Sequence, residues 1–181
     1  MILVVAATAR ELEFVAGAET LVCGIGPVEA AAATASALAA RTPRALLHIG
    51  IAGAQTLEPL ALVLGSEAVY ADAHDPQSTF PRIERVEPDQ ALLADARRVL
   101  PAAHVLAIAT SARVGGGGVC EVEAMEGFGV LRAAALAGVP ALELRAVSNP
   151  VGEPNRALWR IDDALAVLAT SVPKLIAAFD A

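Results

Sequence analysis

Short apolar runs that break at glycine or a small polar residue, each giving way to residues at helical spacing, constrain this chain more than any other feature. That alternation points to an α/β fold with a largely parallel sheet, since parallel strands need a crossover and a helix supplies it. Residues 1–7 form a continuous apolar run of buried-strand type. Residues 21–23 make a shorter one. Gly24-Ile25-Gly26-Pro27 then turns the chain into an alanine-rich helix reaching residue 40, with Pro27 at a tolerated first-turn position. A third strand over 45–49 ends at Gly50-Ile51-Ala52-Gly53-Ala54. Residues 60–71 read as a longer strand bent near Gly65-Ser66, and 72–88, rich in Pro, Asp and Ser, as an irregular surface loop. A helix over 89–100, a strand over 105–109 and a glycine interruption over 114–118 follow. A helix over 121–137, a turn at Gly138-Val139-Pro140, a strand over 141–147 and a helix over 161–179 complete the pattern. The expected architecture is a three-layer α/β/α sandwich around a largely parallel, twisted mixed sheet. Residues 1–181 are expected to form one domain, because neither an internal repeat nor a dividing linker interrupts them.

Composition narrows the function. The hydrophobic share is 56%, much of it alanine, which suits helices packed closely on a sheet. No stretch reaches about 20 strongly apolar residues, so neither a spanning helix nor a membrane partner is expected. The N-terminal run lacks a basic leader and meets Arg10, Glu11 and Glu13 at once, so it reads as a first strand and not a signal peptide. Cys23 and Cys120 make no disulfide framework, which suits a reducing cytoplasm. A net charge of −7 and a single lysine, Lys174, argue against nucleic acid. His48, beside an apolar run, reads as structural; His74 and His104 are scattered, and no spacing suggests a metal site. Gly24-x-Gly26-x-x-Glu29 lacks the third glycine of a dinucleotide fingerprint and follows the second strand, so no dinucleotide cofactor is expected.

The polar residues that carry chemistry fall at element ends. Met125-Glu126 opens the 121–137 helix and Ser148-Asn149 closes the following strand. If helix packs against strand, carboxylate and amide reach one pocket at the sheet edge. A sugar diol needs an acceptor such as Glu126, and a purine edge needs a two-faced group such as Asn149. The plainer readings are a helix-start carboxylate and an Asn-Pro turn. Glu11 follows the first strand, where open α/β sheets present catalytic groups; Glu13 is the alternative if the register shifts. The glycines of 50–54 leave backbone N–H groups open to close approach by a ligand.

Met125-Glu126-Gly127, followed by Arg145-Ala146-Val147-Ser148-Asn149, resembles the nucleoside phosphorylase and nucleosidase superfamily, in particular its methylthioadenosine/adenosylhomocysteine nucleosidases. Ser-Asn in place of Ser-Asp, with Trp159 downstream, is most similar to the futalosine hydrolase branch, which serves an alternative menaquinone route. The resemblance implies that Glu11 activates water, Glu126 holds both ribose hydroxyls, and Met125 packs on the sugar. Ala52 and Gly53 lie against the ribose, and Ser148-Asn149 meets the base. An amide donates to N7 or a 6-oxo group but is no general acid, so hypoxanthine suits it better than adenine. Futalosine is the implied substrate, without cofactor, in a homodimer or higher homo-oligomer whose neighbour helps close the site. Glu123 receives no catalytic role. Arg82, Arg85 and Arg113 are candidates for the substrate carboxylate, and Phe128, Phe80 or an aliphatic face for stacking on the purine, because 112–119 lacks the family's aromatic. A purine nucleoside phosphorylase is the first alternative, although no arginine pair is evident near Gly50 or Gly26. A non-catalytic nucleoside-binding module is the second.

Overall fold

The computed structural model describes residues 1–116 and 118–180; Gly117, within the glycine interruption, and Ala181 lie outside the described residues. Twelve regular elements follow one another. They are β1 (Ile2–Ala6), β2 (Glu19–Val22), α1 (Pro27–Ala40), β3 (Ala45–Ala54), β4 (Leu62–Tyr70), β5 (Arg85–Val86), α2 (Gln90–Val99), β6 (His104–Thr110), β7 (Val122–Ala124), α3 (Gly127–Ala137), β8 (Ala141–Pro150) and α4 (Ile161–Asp180). Short 3-10 turns at Ala9–Leu12, Ala71–Ala73 and Arg156–Leu158 join some of them.

All eight strands belong to one mixed sheet. β1 lies between β2 and β3, parallel to both, and β3 runs parallel to β8. β8 pairs with β4 antiparallel, β4 with β6 parallel, β6 with β7 parallel, and β7 returns to β3 antiparallel. The last five strands of this path therefore form a closed circuit, which the alternation of elements alone did not foretell. Ala52, Ala54, Val63, Ile108, Val122, Ala124 and Val147 cluster within it.

Alternate residues of β1 and β3 feed two further cores. Ile2, Val4, Leu47 and Ile49 pack with Leu92, Leu93 and Ala96 of α2 and with Leu168, Val172 and Leu175 of α4. Leu3, Val5 and Leu46 pack on the opposite face with Ala30 and Leu38 of α1 and Val130, Leu131 and Ala134 of α3. This period-two partition makes the three layers. α1 and α3 cross closely at Gly129, where a Cβ would stand 2.5 Å from the carbonyl oxygen of Pro27 and 3.3 Å from Ala31 Cβ.

Local signals explain several boundaries. Pro27 starts α1, and the Asp89 carboxylate caps α2 by accepting from the N–H groups of Ala91 and Leu92, both at 3.0 Å. Gly138, at φ 68°, ends α3. The bend expected near Gly65-Ser66 is a register shift between Gly65 and Glu67. Three expectations are corrected. The helix drawn from residue 121 begins at Gly127, because 122–124 are taken into the sheet between β3 and β6. The strands over 45–49 and 141–147 run on to Ala54 and Pro150, since each supplies the other's hydrogen bonds. The loop over 72–88 contributes β5 to the sheet edge. No described helix is long and apolar enough to cross a membrane.

Candidate active site

A cavity of about 290 Å³ opens at the C-terminal ends of β1, β3 and β8. Glu11, Ala52, Gly53, Met125, Glu126, Ser148 and Asn149, all singled out in the sequence, line it together. The turn Ala9–Leu12 brings Glu11 in immediately after β1. Its Oε2 accepts from the backbone N–H of Thr8 (3.0 Å) and the Thr8 hydroxyl (2.8 Å), and its Oε1 from the Ile51 N–H (3.3 Å). The carboxylate is thereby fixed from both β1 and β3, while Glu13 is exposed and outside the cavity.

A bulge re-aims the end of β8. Register with β3 shifts between Ala52 and Gly53, so that Gly53 faces Asn149 and Ser148 is the extra residue. The Ser148 hydroxyl donates to Asn149 Oδ1 (2.7 Å), and one Asn149 Nδ2 hydrogen goes to the carbonyl of Pro150 (2.9 Å). One lone pair of the amide oxygen is thus engaged, and the second N–H remains for a ligand. The packing at Gly53 is tight: a Cβ would approach Asn149 Nδ2 and Val151 Cγ2 to 3.2 Å each.

Glu126, 4% exposed, stands at the N-terminal end of α3. Its Oε1 accepts from the Gly26 N–H (3.2 Å), and its Oε2 from Arg145 Nη2 (3.4 Å). The Gly24–Pro27 turn, read as punctuation, therefore positions a carboxylate 100 residues away. Arg145, on β8 and 1% exposed, is the chief residue missed by sequence reasoning. Its Nε donates to Glu143 Oε1 (2.8 Å), its Nη2 meets His48 Nε2 (2.5 Å), and its Nη1 reaches the Ile51 carbonyl (3.4 Å). His48 Nδ1 donates to the Val5 carbonyl at 3.0 Å, which leaves Nε2 as the acceptor for Arg145. Burial, then the Arg145 charge, hold the His48 pKa well below the usual imidazole range. Burial works against the Arg145 charge, but Glu143 and Glu126 outweigh it and raise its pKa. Burial likewise pushes the Cys23 thiol, beside Glu126, up to about 12. The missed signal was a pair of charged residues, Glu143 and Arg145, at alternate positions of an otherwise apolar strand.

Several expectations about the periphery are revised. An arginine does lie near Gly50, since a Cβ there would meet the Arg145 guanidinium. It is engaged by Glu143, His48 and Glu126, however, and is not free to cradle phosphate. Arg82, Arg85 and Arg113 do not line the cavity; Arg82 pairs with Asp75 and Arg85 with Glu67. Arg10 and Arg156 line it instead. Phe80 is 78% exposed, and Phe128 stacks on Tyr70 with ring centroids 5.1 Å apart; neither lines the cavity. Val114 and Trp159 line the cavity. Glu123 also lines the cavity, its Oε1 accepting from the Gly115 N–H at 2.5 Å. Among the described residues no group of three or more His, Cys, Asp or Glu is placed to hold a metal.

Comparison with known proteins adds to this geometry. The family model described as Phosphorylase superfamily matches residues 10–181. The futalosine hydrolase of Streptomyces coelicolor is 70% identical over 53 residues, which are 29% of this chain and 23% of that protein. The chain thus spans about a quarter of the length of the curated relatives it matches. A solved futalosine hydrolase mutant of Helicobacter pylori superposes with a TM-score of 0.86 at 17% identity, covering 97% of this chain and 98% of that one. The S-adenosylhomocysteine nucleosidase of Streptococcus pyogenes, in complex with 5-methylthiotubericidin, superposes with a TM-score of 0.84 at 20% identity, covering 97% and 95%. The solved structures share the fold.

Proposed function

The chain belongs to the phosphorylase superfamily, and on that premise we propose that it is an N-ribosyl hydrolase releasing a 6-oxopurine, with futalosine as substrate and hypoxanthine as the leaving base. The observation that carries the reading is the convergence of Glu11, Glu126 and an Asn149 oriented by Ser148 on one cavity. Asn149 donates its remaining amide hydrogen to N7 or the 6-oxo group and draws electrons from the glycosidic bond as it lengthens. Positive charge develops on the ribose. Glu126, held by Arg145 and the Gly26 N–H, accepts from the sugar hydroxyls, and Met125 packs on the ring. Glu11 orients water and takes its proton during attack on C1′, and the purine, leaving with the electron pair of the glycosidic bond, takes up a proton from solvent. Fixing these groups before the substrate arrives supplies the rate, because no reorganisation is required at the transition state.

The same reading carries residues 1–181 as one nucleosidase domain, a cytoplasmic setting, a place in menaquinone synthesis, and a homo-oligomer. Ile25 and Val114, apolar rim residues left 61% and 46% exposed, support a neighbour closing the site. Base release is to be measured with and without phosphate, as hypoxanthine from futalosine and inosine and as adenine from methylthioadenosine and adenosylhomocysteine. Phosphate-independent release from futalosine is expected. Strict phosphate dependence would make the protein a phosphorylase, and binding without turnover a nucleoside-binding module.

A further inference from the structure

An anionic ligand meets few cations in a chain of net charge −7, so each arginine at the cavity matters. Three line it. Arg145 lies beneath, taken up by Glu143, His48 and Glu126, and Arg10 is paired with Asp162. Arg156 makes no ion pair among the described residues. Its guanidinium carbon sits 5.2 Å from the centroid of the Trp159 ring, a cation–π contact that places the exposed head group at the rim. Trp159 is itself fixed, its indole N–H donating to the Glu153 carbonyl at 3.1 Å. The turn carrying Arg156 is capped by Asn155, whose side chain accepts from the Ala157 N–H at 3.1 Å.

A flat indole beside an unpaired planar fork matches one ligand chemistry well. An aromatic ring packs against the indole, and a carboxylate on that ring accepts two parallel N–H bonds from the guanidinium. We propose that Arg156 and Trp159 form a specificity subsite for an aryl carboxylate carried on the 5′ arm of the nucleoside. The inference rests on the reading of the cavity as a 6-oxopurine nucleosidase site and names what selects its substrate. Inosine has the same base and sugar but no such arm, so the subsite discriminates between the two.

The test compares kcat/KM for futalosine, its carboxylate methyl ester and inosine in the parent protein and in Arg156→Gln. Arg156→Gln is expected to lower the futalosine-to-inosine ratio about 10-fold, the scale of one charge-assisted pair at a partly hydrated rim. Esterification is expected to cost the parent a similar factor and the variant little. A structural role for Arg156 would lower turnover of both substrates alike; an unchanged ratio, or a parent indifferent to the ester, overturns the subsite while leaving the nucleosidase reading intact. A parent protein that releases hypoxanthine from neither nucleoside overturns both.

Discussion

Gly50→Ala tests whether the polar layer beneath the cavity is rigid. A methyl group at Gly50 would meet the Arg145 guanidinium, with Glu11 Oε1 at 2.8 Å and Arg145 Cζ at 3.3 Å. Neither neighbour yields easily. Arg145 is tied to Glu143 at 2.8 Å and His48 at 2.5 Å, and Glu11 is tied to Thr8 by two bonds. Overpacking by one methyl costs about 1–3 kcal/mol. Loosening one buried hydrogen bond to a charged group adds about 1.5–3 kcal/mol. Destabilisation by roughly 4 kcal/mol is expected, which for a chain of this size lowers Tm by about 8–16 °C and still leaves a folded protein. Displacement of Glu11 should also lower kcat for hypoxanthine release by about 100-fold, the usual consequence of moving a catalytic group by an ångström. Calorimetry and initial rates on the same preparation read both effects. Gly118→Ala, where a Cβ meets nothing within 4 Å, is the control and should stay within about 0.5 kcal/mol of the parent. A Gly50→Ala protein as stable and as active as the control would refute the rigidity argued for Arg145 and Glu11.

Glu11→Gln keeps the size of the side chain but removes the base, so kcat should fall by about 10²–10⁴-fold with binding of hypoxanthine by calorimetry largely retained; undiminished turnover would remove Glu11 from the mechanism. Asn149→Asp places a carboxylate where an amide donates to Pro150 at 2.9 Å, and should shift the ratio of hypoxanthine to adenine release by about 100-fold towards adenine, read by chromatography of paired substrates. His48 is held neutral by burial and then by Arg145, whereas the unfolded imidazole takes up a proton near its ordinary pKa of 6.5. Its contribution to stability is therefore complete above that value and is lost as pH falls below it, by at most about 1.4 kcal/mol per pH unit. Urea titrations at pH 7.5 and 5.5 should show a smaller difference for His48→Gln than for the parent, and equal differences would count against a neutral buried His48.

Much of the fold was legible because its cues are local. The α1 start at Pro27, the Asp89 cap of α2 and the kink at Gly65 each depend on backbone chemistry within a few residues. β7 was not legible, since Val122–Ala124 reads as the first turn of a helix and is extended only because β3 and β6 offer it partners. The candidate site divides in the same way. Glu11, Met125-Glu126 and Ser148-Asn149 stood out as polar residues at the ends of apolar elements, where the alternating pattern leaves few such groups. Which arginine lay at Gly50, and which aromatic lay at the rim, did not.

By itself the sequence determined the alternation of strands and helices, short of β5 and β7, and a short set of polar residues at element ends, because periodicity and turn chemistry act over a few residues. Only the tertiary structure closed the five-strand circuit, gave Glu126 its hold from Gly26 and Arg145, and left Arg156 without an ion pair among the described residues, beside Trp159. The physical reason is that strand pairing and burial bring together groups up to about a hundred residues apart, and the fate of a charge depends on what then surrounds it.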